Sequence, residues 1–359
     1  MLRIATVYHG SRGPGELEDM SYARWFMISE ALARLGHRVD IVRGGEFRSP
    51  TLVAPGLREV SLDKVDWKDY DVIKTLFHTG YELLCKRGGA DHPFVIAKLG
   101  SVVAAEDTEG IYFYGEMRER LYETQARIAR DARYVTLLSD PARQLWRKCH
   151  GPESRTLLVP GAASSRIALP GRDPYPQRGR GVCVFAGNIY DTSSQPDANR
   201  TLVEKLNGLG ERLRAFDVRL YMLGVGDASG LDPRAVEYLG AVSYEECWNY
   251  FHHADVGIVV SVGPFMHNNE STKIYHYLRA GLPVVSEGGF PNDHVVRDSG
   301  HGSVVPTGDL DALAEQVNRW IQSESSPARA VDYIMQQHTW DHRARIYDEL
   351  LRDNGTSRE

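Results

Sequence analysis

The chain has 359 residues, 42% hydrophobic and 25% charged, which excludes a fibrous repeat or wholesale disorder and divides most simply into two α/β domains of similar size. A formal net charge of −6 argues against a protein built to grip nucleic acid by neutralising phosphates. Cys85, Cys149, Cys183 and Cys247 lie far apart with no metal-ligand spacing, so reduced thiols in the cytoplasm are expected, with no metal ion and no cofactor.

The apolar run in Leu2 to Tyr8 is too short for the core of a signal peptide and reads as a first strand. A Gly-containing loop, Gly10-Ser11-Arg12-Gly13-Pro14-Gly15, follows it. That loop lacks the spacing of a phosphate cradle and reads as a flexible acceptor or donor loop. A helix over Tyr22 to Leu35 comes next, with Gly36 as its cap, then a strand over Val39 to Arg43. Further strands are predicted at Asp71 to Phe77, Phe94 to Leu99 and Tyr134 to Leu138. The charged stretch Tyr112 to Arg133 makes a helix before the last of them. Strands alternating with helices require a parallel, doubly wound sheet.

Ala168 to Gly181 is crowded with Pro, Gly, Arg and Asp and marks a linker or domain boundary. Beyond it, strands are predicted at Val182 to Gly187, Val218 to Gly224, Val256 to Val260 and Pro283 to Ser286. The helices between and after them are expected at about Asn199 to Ala215, Tyr244 to His253, Thr272 to Ala280 and Asp309 to Gln322. The second half is therefore doubly wound as well, and a ligand site is expected in a cleft at the carboxyl ends of the strands. No stretch approaches the ~20 apolar residues of a membrane span, which leaves at most peripheral contact with a membrane.

The most informative segment runs from His267 to Ser286: a polar loop, a helix beginning near Ser271 or Thr272, Gly281 as cap, and a buried strand. Amide groups at that helix start, with Lys273 in its first turn, would suit a diphosphate. The bland alternative is Ser271 as a plain N-cap and Lys273 as a solvated charge.

With these residues in view, the chain resembles the GT-B glycosyltransferases of the group 1 type, through Lys273-Ile274-Tyr275-His276-Tyr277-Leu278-Arg279-Ala280-Gly281-Leu282-Pro283-Val284-Val285. Phe185-Ala186-Gly187-Asn188, Leu239 to Glu246, Ala254 to Ile258 and Gly302 to Leu310 support it, as do Leu32 to Val39, Ser139 and Val159-Pro160-Gly161 more loosely. The resemblance implies two Rossmann-like domains facing across a cleft. Residues 1–165 would bind the acceptor and 166–335 the nucleotide-sugar (UDP-, GDP- or dTDP-linked), while 336–359 would form a helix packing back on the first domain. It implies that Lys273 contacts the donor diphosphate, that Ser271 and Thr272 supply hydrogen bonds, and that Gly187 and Asn188 form the first donor loop. Val242 would offer backbone groups to the base, and Glu270 would face the donor sugar or ribose. Metal is not required in such enzymes, and the acceptor would be a saccharide, a lipid-linked saccharide or a small molecule.

Many retaining members carry two glutamates at positions that here are Asn268 and His276. Glu270 is two residues out of that register. The donor loop is also similar to that of the xanthan-pathway glucuronosyltransferase, which would favour inversion with a carboxylate base. Candidate bases are Glu16, Glu18, Asp19, His78, Glu106, Asp107 and Glu109, with His78 and Asp107 leading. His78 could instead be a polar strand terminator, and the acidic run a solvated turn. His252-His253 and Tyr112 to Tyr114 lack the spacing of metal or stacking sites and read as packing and surface residues. The alternatives to transfer are a GT-B epimerase or a non-catalytic nucleotide-sugar-binding protein.

Overall fold

The computed structural model describes residues 1–10, 20–104, 115–151 and 155–354. Its elements run β1 (Arg3–Val7), α1 (Met20–Arg34), β2 (Arg38–Arg43), β3 (Thr51–Ala54), β4 (Leu57–Ser61), β5 (Val72–Leu76), α2 (Phe77–Lys86), β6 (Val95–Lys98), α3 (Gly115–Asp131), β7 (Tyr134–Leu137), α4 (Asp140–His150) and β8 (Thr156–Leu158). They continue as β9 (Gly181–Ala186), α5 (Pro196–Arg214), β10 (Val218–Leu223), β11 (Val236–Gly240), α6 (Tyr244–His253), β12 (Val256–Val259), α7 (Thr272–Arg279) and β13 (Val284–Glu287). Then come α8 (Asp293–Ser299), β14 (Gly302–Val305), α9 (Leu310–Ile321), α10 (Ala328–Gln337) and α11 (Trp340–Asp353). These residues form two compact units. One holds the described parts of Met1–Thr108, Gly115–Pro160 and the stretch from Trp340; the other holds Gly161–Thr339.

The first unit has an eight-stranded sheet in the order β3-β4-β2-β1-β5-β6-β7-β8, parallel except for the β3–β4 hairpin at its edge. The second has a six-stranded sheet, β11-β10-β9-β12-β13-β14, parallel throughout. Side chains of a strand alternate between faces, and both faces of the second sheet are covered. Cys183 and Phe185 join one core with Leu202 and Leu209 of α5 and Leu313 of α9. Val184 faces the opposite core with Ile274 and Leu278 of α7 and Val295 of α8. The strands consequently read as unbroken apolar runs.

Gly36 and Gly281 terminate α1 and α7 with φ of 93° and 78°, left-handed backbone that glycine adopts without strain. The sequence reading leaves α2, α4 and the β3–β4 hairpin unassigned. Their apolar residues are spread among charged ones, and packing on the sheet rather than local periodicity makes them regular. The Pro- and Gly-rich stretch after Ala168 is strapped to α6 instead of running free. Asn249 accepts from Gly171 N–H (2.7 Å) and donates to the Arg172 carbonyl (2.9 Å), while His252 and His253 bond to the carbonyls of Ala168 and Gly171. His252 and His253 are thus anchors for that strap.

Helix α11 belongs to the first unit, where it packs on α1. Arg34 donates to Asp341 at 2.7 and 2.9 Å, an exposed pair of modest worth. The buried contact is stronger: His37 Nδ1 accepts from Leu2 N–H (3.4 Å), which leaves Nε2–H to donate to Asp348 (3.0 Å). His37→Ala removes both partners from a site only 6% exposed and should lower unfolding stability by about 1–3 kcal/mol. Urea denaturation measures this; an unchanged midpoint would show that the His37–Asp348 contact contributes nothing to holding α11.

Candidate functional site

The carboxyl edge of the second sheet gathers the ends of β9, β10, β12 and β13. Chain crossing there is tight. Gly187 N–H donates to the Leu223 carbonyl (2.8 Å), Ile189 N–H to the Val225 carbonyl (2.8 Å), and Asn188 Oδ1 accepts from Val225 N–H (3.3 Å). Gly224, at φ 144°, has room for no side chain, because a Cβ there would lie 2.2 Å from the Gly187 carbonyl oxygen. Gly187 and Asn188 are thereby placed as a rigid loop, and Asn188 lines an open cavity of about 370 Å³, a volume within the range of small-ligand sites.

Lys273 reaches the same cavity from the first turn of α7. Its Nζ lies 5.0 Å from the centroid of the Phe185 ring, and a Cβ on Gly187 would come within 2.8 Å of its Cε. The bare backbone of Gly187 is what lets the lysine lie there. Lys273 is therefore half-buried on a cavity wall, not a freely solvated charge. The helix start beside it is fixed by a residue the sequence reading did not single out. Ser271 N–H donates to Asn292 Oδ1 (3.0 Å) and Asn292 Nδ2 donates back to the Ser271 carbonyl (2.9 Å), with Asn292 fully buried. Ser271 occupies the N-cap position without a capping bond from its hydroxyl, and Thr272 is buried behind it. No local sequence signal links Asn292 to Ser271, since the pair is closed by the fold.

The other expected donor residues are distributed as follows. Val242, in the turn between β11 and α6, packs partly buried against the apolar core around Trp248 and Ile274. Glu270 directs Oε2 at the backbone N–H of Gly161 (2.5 Å), which ties the polar loop before α7 to the start of its own unit. Asn268 ends a 3-10 turn over Pro264–Asn268. His276 is 3% exposed, with its ring edge-on to Trp248 (5.3 Å) and Nε2 3.3 Å from the Tyr244 hydroxyl. The position of the second family glutamate is thus filled by a packed histidine.

A buried ion pair stands under this edge. The Glu287 carboxylate, fully enclosed at the end of β13, accepts from Lys205 Nζ at 2.7 Å on both oxygens, from Ser261 N–H (2.6 Å) and from Gly308 N–H (2.7 Å). It ties α5, the end of β12 and the loop before α9 to one point. Nearby, Asp293 Oδ2 accepts from Gly289 N–H (2.8 Å), and burial raises the Asp293 carboxyl above its ordinary range.

In the first unit, His78 is not a loop residue after β5 but the second residue of α2, only 6% exposed. Phe77 before it turns the chain at φ 57°, a left-handed conformation uncommon for a bulky side chain. Gln125 donates its amide to His78 Nε2 (2.7 Å), and burial lowers the imidazole to about 4, so the ring is neutral at pH 7. Asp107, Glu106 and Glu109, the acidic candidates Glu16, Glu18 and Asp19, and Tyr112 to Tyr114 lie outside the described residues, as does the loop from Ser11 to Gly15.

Two Asp-x-Asp triplets occur, Asp69-Tyr70-Asp71 and Asp309-Leu310-Asp311, and both have structural partners. Asp71 accepts from Arg3 N–H, Asp69 pairs with the Arg3 side chain, Asp309 caps α9, and Asp311 pairs with Arg212. Among the described residues no group of three or more His, Cys, Asp or Glu is arranged to hold a metal ion. Nor is any described helix long and apolar enough to cross a membrane.

Residues 180–323 match the family model described as Glycosyl transferases group 1. No curated protein matches the chain in sequence. Among solved structures, the sucrose-phosphate synthase of Thermosynechococcus elongatus is similar with a TM-score of 0.73 and 15% identity, covering 99% of each chain. Anabaena HepE in complex with UDP and glucose has a TM-score of 0.69 at 12% identity, over 98% of this chain and 100% of that one. A glycosyltransferase of avilamycin A biosynthesis has a TM-score of 0.64 at 17% identity, over 98% and 97%. The two-unit arrangement of parallel sheets is the fold these proteins share, GT-B.

Lys205→Met should leave the enclosed Glu287 carboxylate without its cation and cost about 3–5 kcal/mol of stability. Thermal or urea unfolding reads the loss, and a variant as stable as the parent would show that backbone N–H groups alone suffice for Glu287.

Proposed function

We infer that this glycosyltransferase takes its sugar from a nucleotide-linked donor whose diphosphate lies against Lys273 and the start of α7. The supporting observation is the placement of that lysine on the wall of the cavity beside the Gly187-Asn188 loop. As the sugar–phosphate bond breaks, charge builds on the departing diphosphate. A fixed ammonium and the positive end of a helix stabilise that charge, and they stabilise it more in the transition state than in the ground state. No metal ion has a place in this reading.

The donor is of the UDP type in this proposal, in keeping with the UDP and glucose held by the Anabaena neighbour. The acceptor binds at the N-terminal unit, and its hydroxyl loses a proton as the new bond forms. Of the two leading bases, His78 is a weak one at a pKa of about 4, and its Nε2 lone pair is already occupied by Gln125. The role is therefore assigned to Asp107 in this proposal, and His78 serves structure through its bond to Gln125. Asn268 and His276 cannot supply the carboxylates that many relatives use there, so the donor sugar is held by other groups of the polar loop.

Thermal melts with UDP, GDP and dTDP test the donor site, because a ligand at 100 times its Kd stabilises the folded state by about 2.7 kcal/mol. UDP is expected to raise the melting temperature of the parent. Lys273→Ala should weaken its binding roughly ten- to a hundredfold while leaving the unliganded melt near that of the parent. Gly187→Ala should do the same by pushing the lysine aside. Undiminished UDP stabilisation in Lys273→Ala would remove the lysine from the site. Asp107→Asn should abolish transfer without altering UDP affinity; a near-parental rate would exclude it as the base.

A further inference from the structure

One face of the first sheet, under α1 and α11, carries polar and charged residues among its apolar ones, where a covered parallel sheet is ordinarily apolar throughout. Strand register sets Thr6 beside Lys74, Leu76 beside Lys98, and Lys98 beside Thr136, and alternation along β5 puts Lys74 and Leu76 on the same face. Thr6, Lys74, Lys98 and Thr136 are 0, 2, 8 and 1% exposed. The threonines have partners at hand: Ser29 donates to Thr6 Oγ1 (3.1 Å) and Tyr347 to Thr136 Oγ1 (3.4 Å).

Lys74 differs. Its Nζ lies 5.3 Å from the centroid of the Tyr347 ring, and no carboxylate among the described residues pairs with it. Burial lowers its pKa to about 8, so it is mostly charged at neutral pH. Buried ammonium groups ordinarily have an anionic or acceptor partner. Lys74 borders a narrow cavity of about 20 Å³, wide enough for one oxygen atom, at the carboxyl edge of the sheet. The walls include Lys98, the half-buried Arg24 and Trp340, and no carboxylate is among the described residues that line it. The indole N–H of Trp340 is buried there without an acceptor among the described residues. Lys74 and Trp340 both border this largely apolar cavity, and an ammonium without a carboxylate and an indole N–H without an acceptor are both satisfied by an anionic oxygen.

We propose that this cavity is an anion subsite in the N-terminal unit, taking an oxygen of a carboxylate or phosphate carried by the acceptor. The proposal rests on the reading of this unit as the acceptor side of a glycosyltransferase. It narrows the acceptor from any hydroxyl compound to an anionic one.

The test uses the full chain, melted with sodium phosphate, sodium acetate or sodium chloride at matched ionic strength, and separately with UDP. Phosphate or acetate is expected to raise the melting temperature by several degrees more than chloride. A gain from phosphate alone identifies phosphorylated acceptors, and a gain from acetate identifies carboxylated ones. Lys74→Met, which replaces a buried cation by an apolar chain of similar length and should fold, is expected to lose the gain and keep the UDP response. Trp340→Phe removes only the N–H and should weaken anion binding about threefold to tenfold. No gain over chloride, or an equal gain in both variants, overturns the anion subsite. A UDP response without an anion response defeats this inference alone, whereas the reverse defeats the donor assignment and leaves the subsite standing.

Discussion

The carboxylate of Glu287 is the point on which the working edge of the C-terminal unit depends. An enclosed carboxylate is costly unless every lone pair is used, and this one accepts from Lys205 and from two backbone N–H groups that begin the loops after β12 and β14. The loop after β12 is the one that leads through Pro264–Asn268 to α7. Holding its first residue therefore limits where Lys273 can stand. Asn292 limits it from the other side by gripping both backbone groups of Ser271. The start of α7 is thus pinned at two places, by Glu287 through the loop after β12 and by Asn292 directly.

The two positions at which the family resemblance would place glutamates, Asn268 and His276, serve the packing of the fold here. A carboxylate at position 276 would sit where His276 now packs between Trp248 and Tyr244, in a wall only 3% exposed. The histidine fills that place with an aromatic ring. Glu270, two residues after Asn268, accepts from the Gly161 N–H and so works on the backbone. Among the described residues that line the cavity, Lys273 is the basic one, and it stands in the first turn of α7.

Much of the fold was legible because covered parallel strands must be apolar on both faces. Runs such as Val182 to Phe185 and Val256 to Val260 announce themselves, and Gly36 and Gly281 mark helix ends through a backbone conformation that glycine adopts best. The place of Lys273 in the first turn of a helix could be read from the residues around it, and the strand-to-loop turn at Gly187-Asn188 from the family resemblance. What escaped depends on contacts remote in sequence. Asn292 meets Ser271 across 21 residues, His78 meets Gln125 across 47, and nothing local in either segment discloses the partner. His78 looked like a loop group because the chain turns sharply at Phe77 and enters a helix that has no capping side chain.

Buried lysines carry the opposite lesson. In Val72-Ile73-Lys74-Thr75-Leu76 and Val95-Ile96-Ala97-Lys98 a charged residue interrupts an apolar strand, and the usual explanation is an edge strand with one wet face. Neither β5 nor β6 is an edge strand, since each has a neighbour on both sides. The charges must then be accommodated inside, and the threonines, tyrosine and tryptophan around them show how far the fold has altered that face to do so. Stability alone would favour leucine at position 74, because a buried cation without a carboxylate gains nothing that an apolar chain would not. A residue that folding does not need, buried in mid-strand beside a cavity at the edge where open α/β sheets take their ligands, is best explained by what it binds.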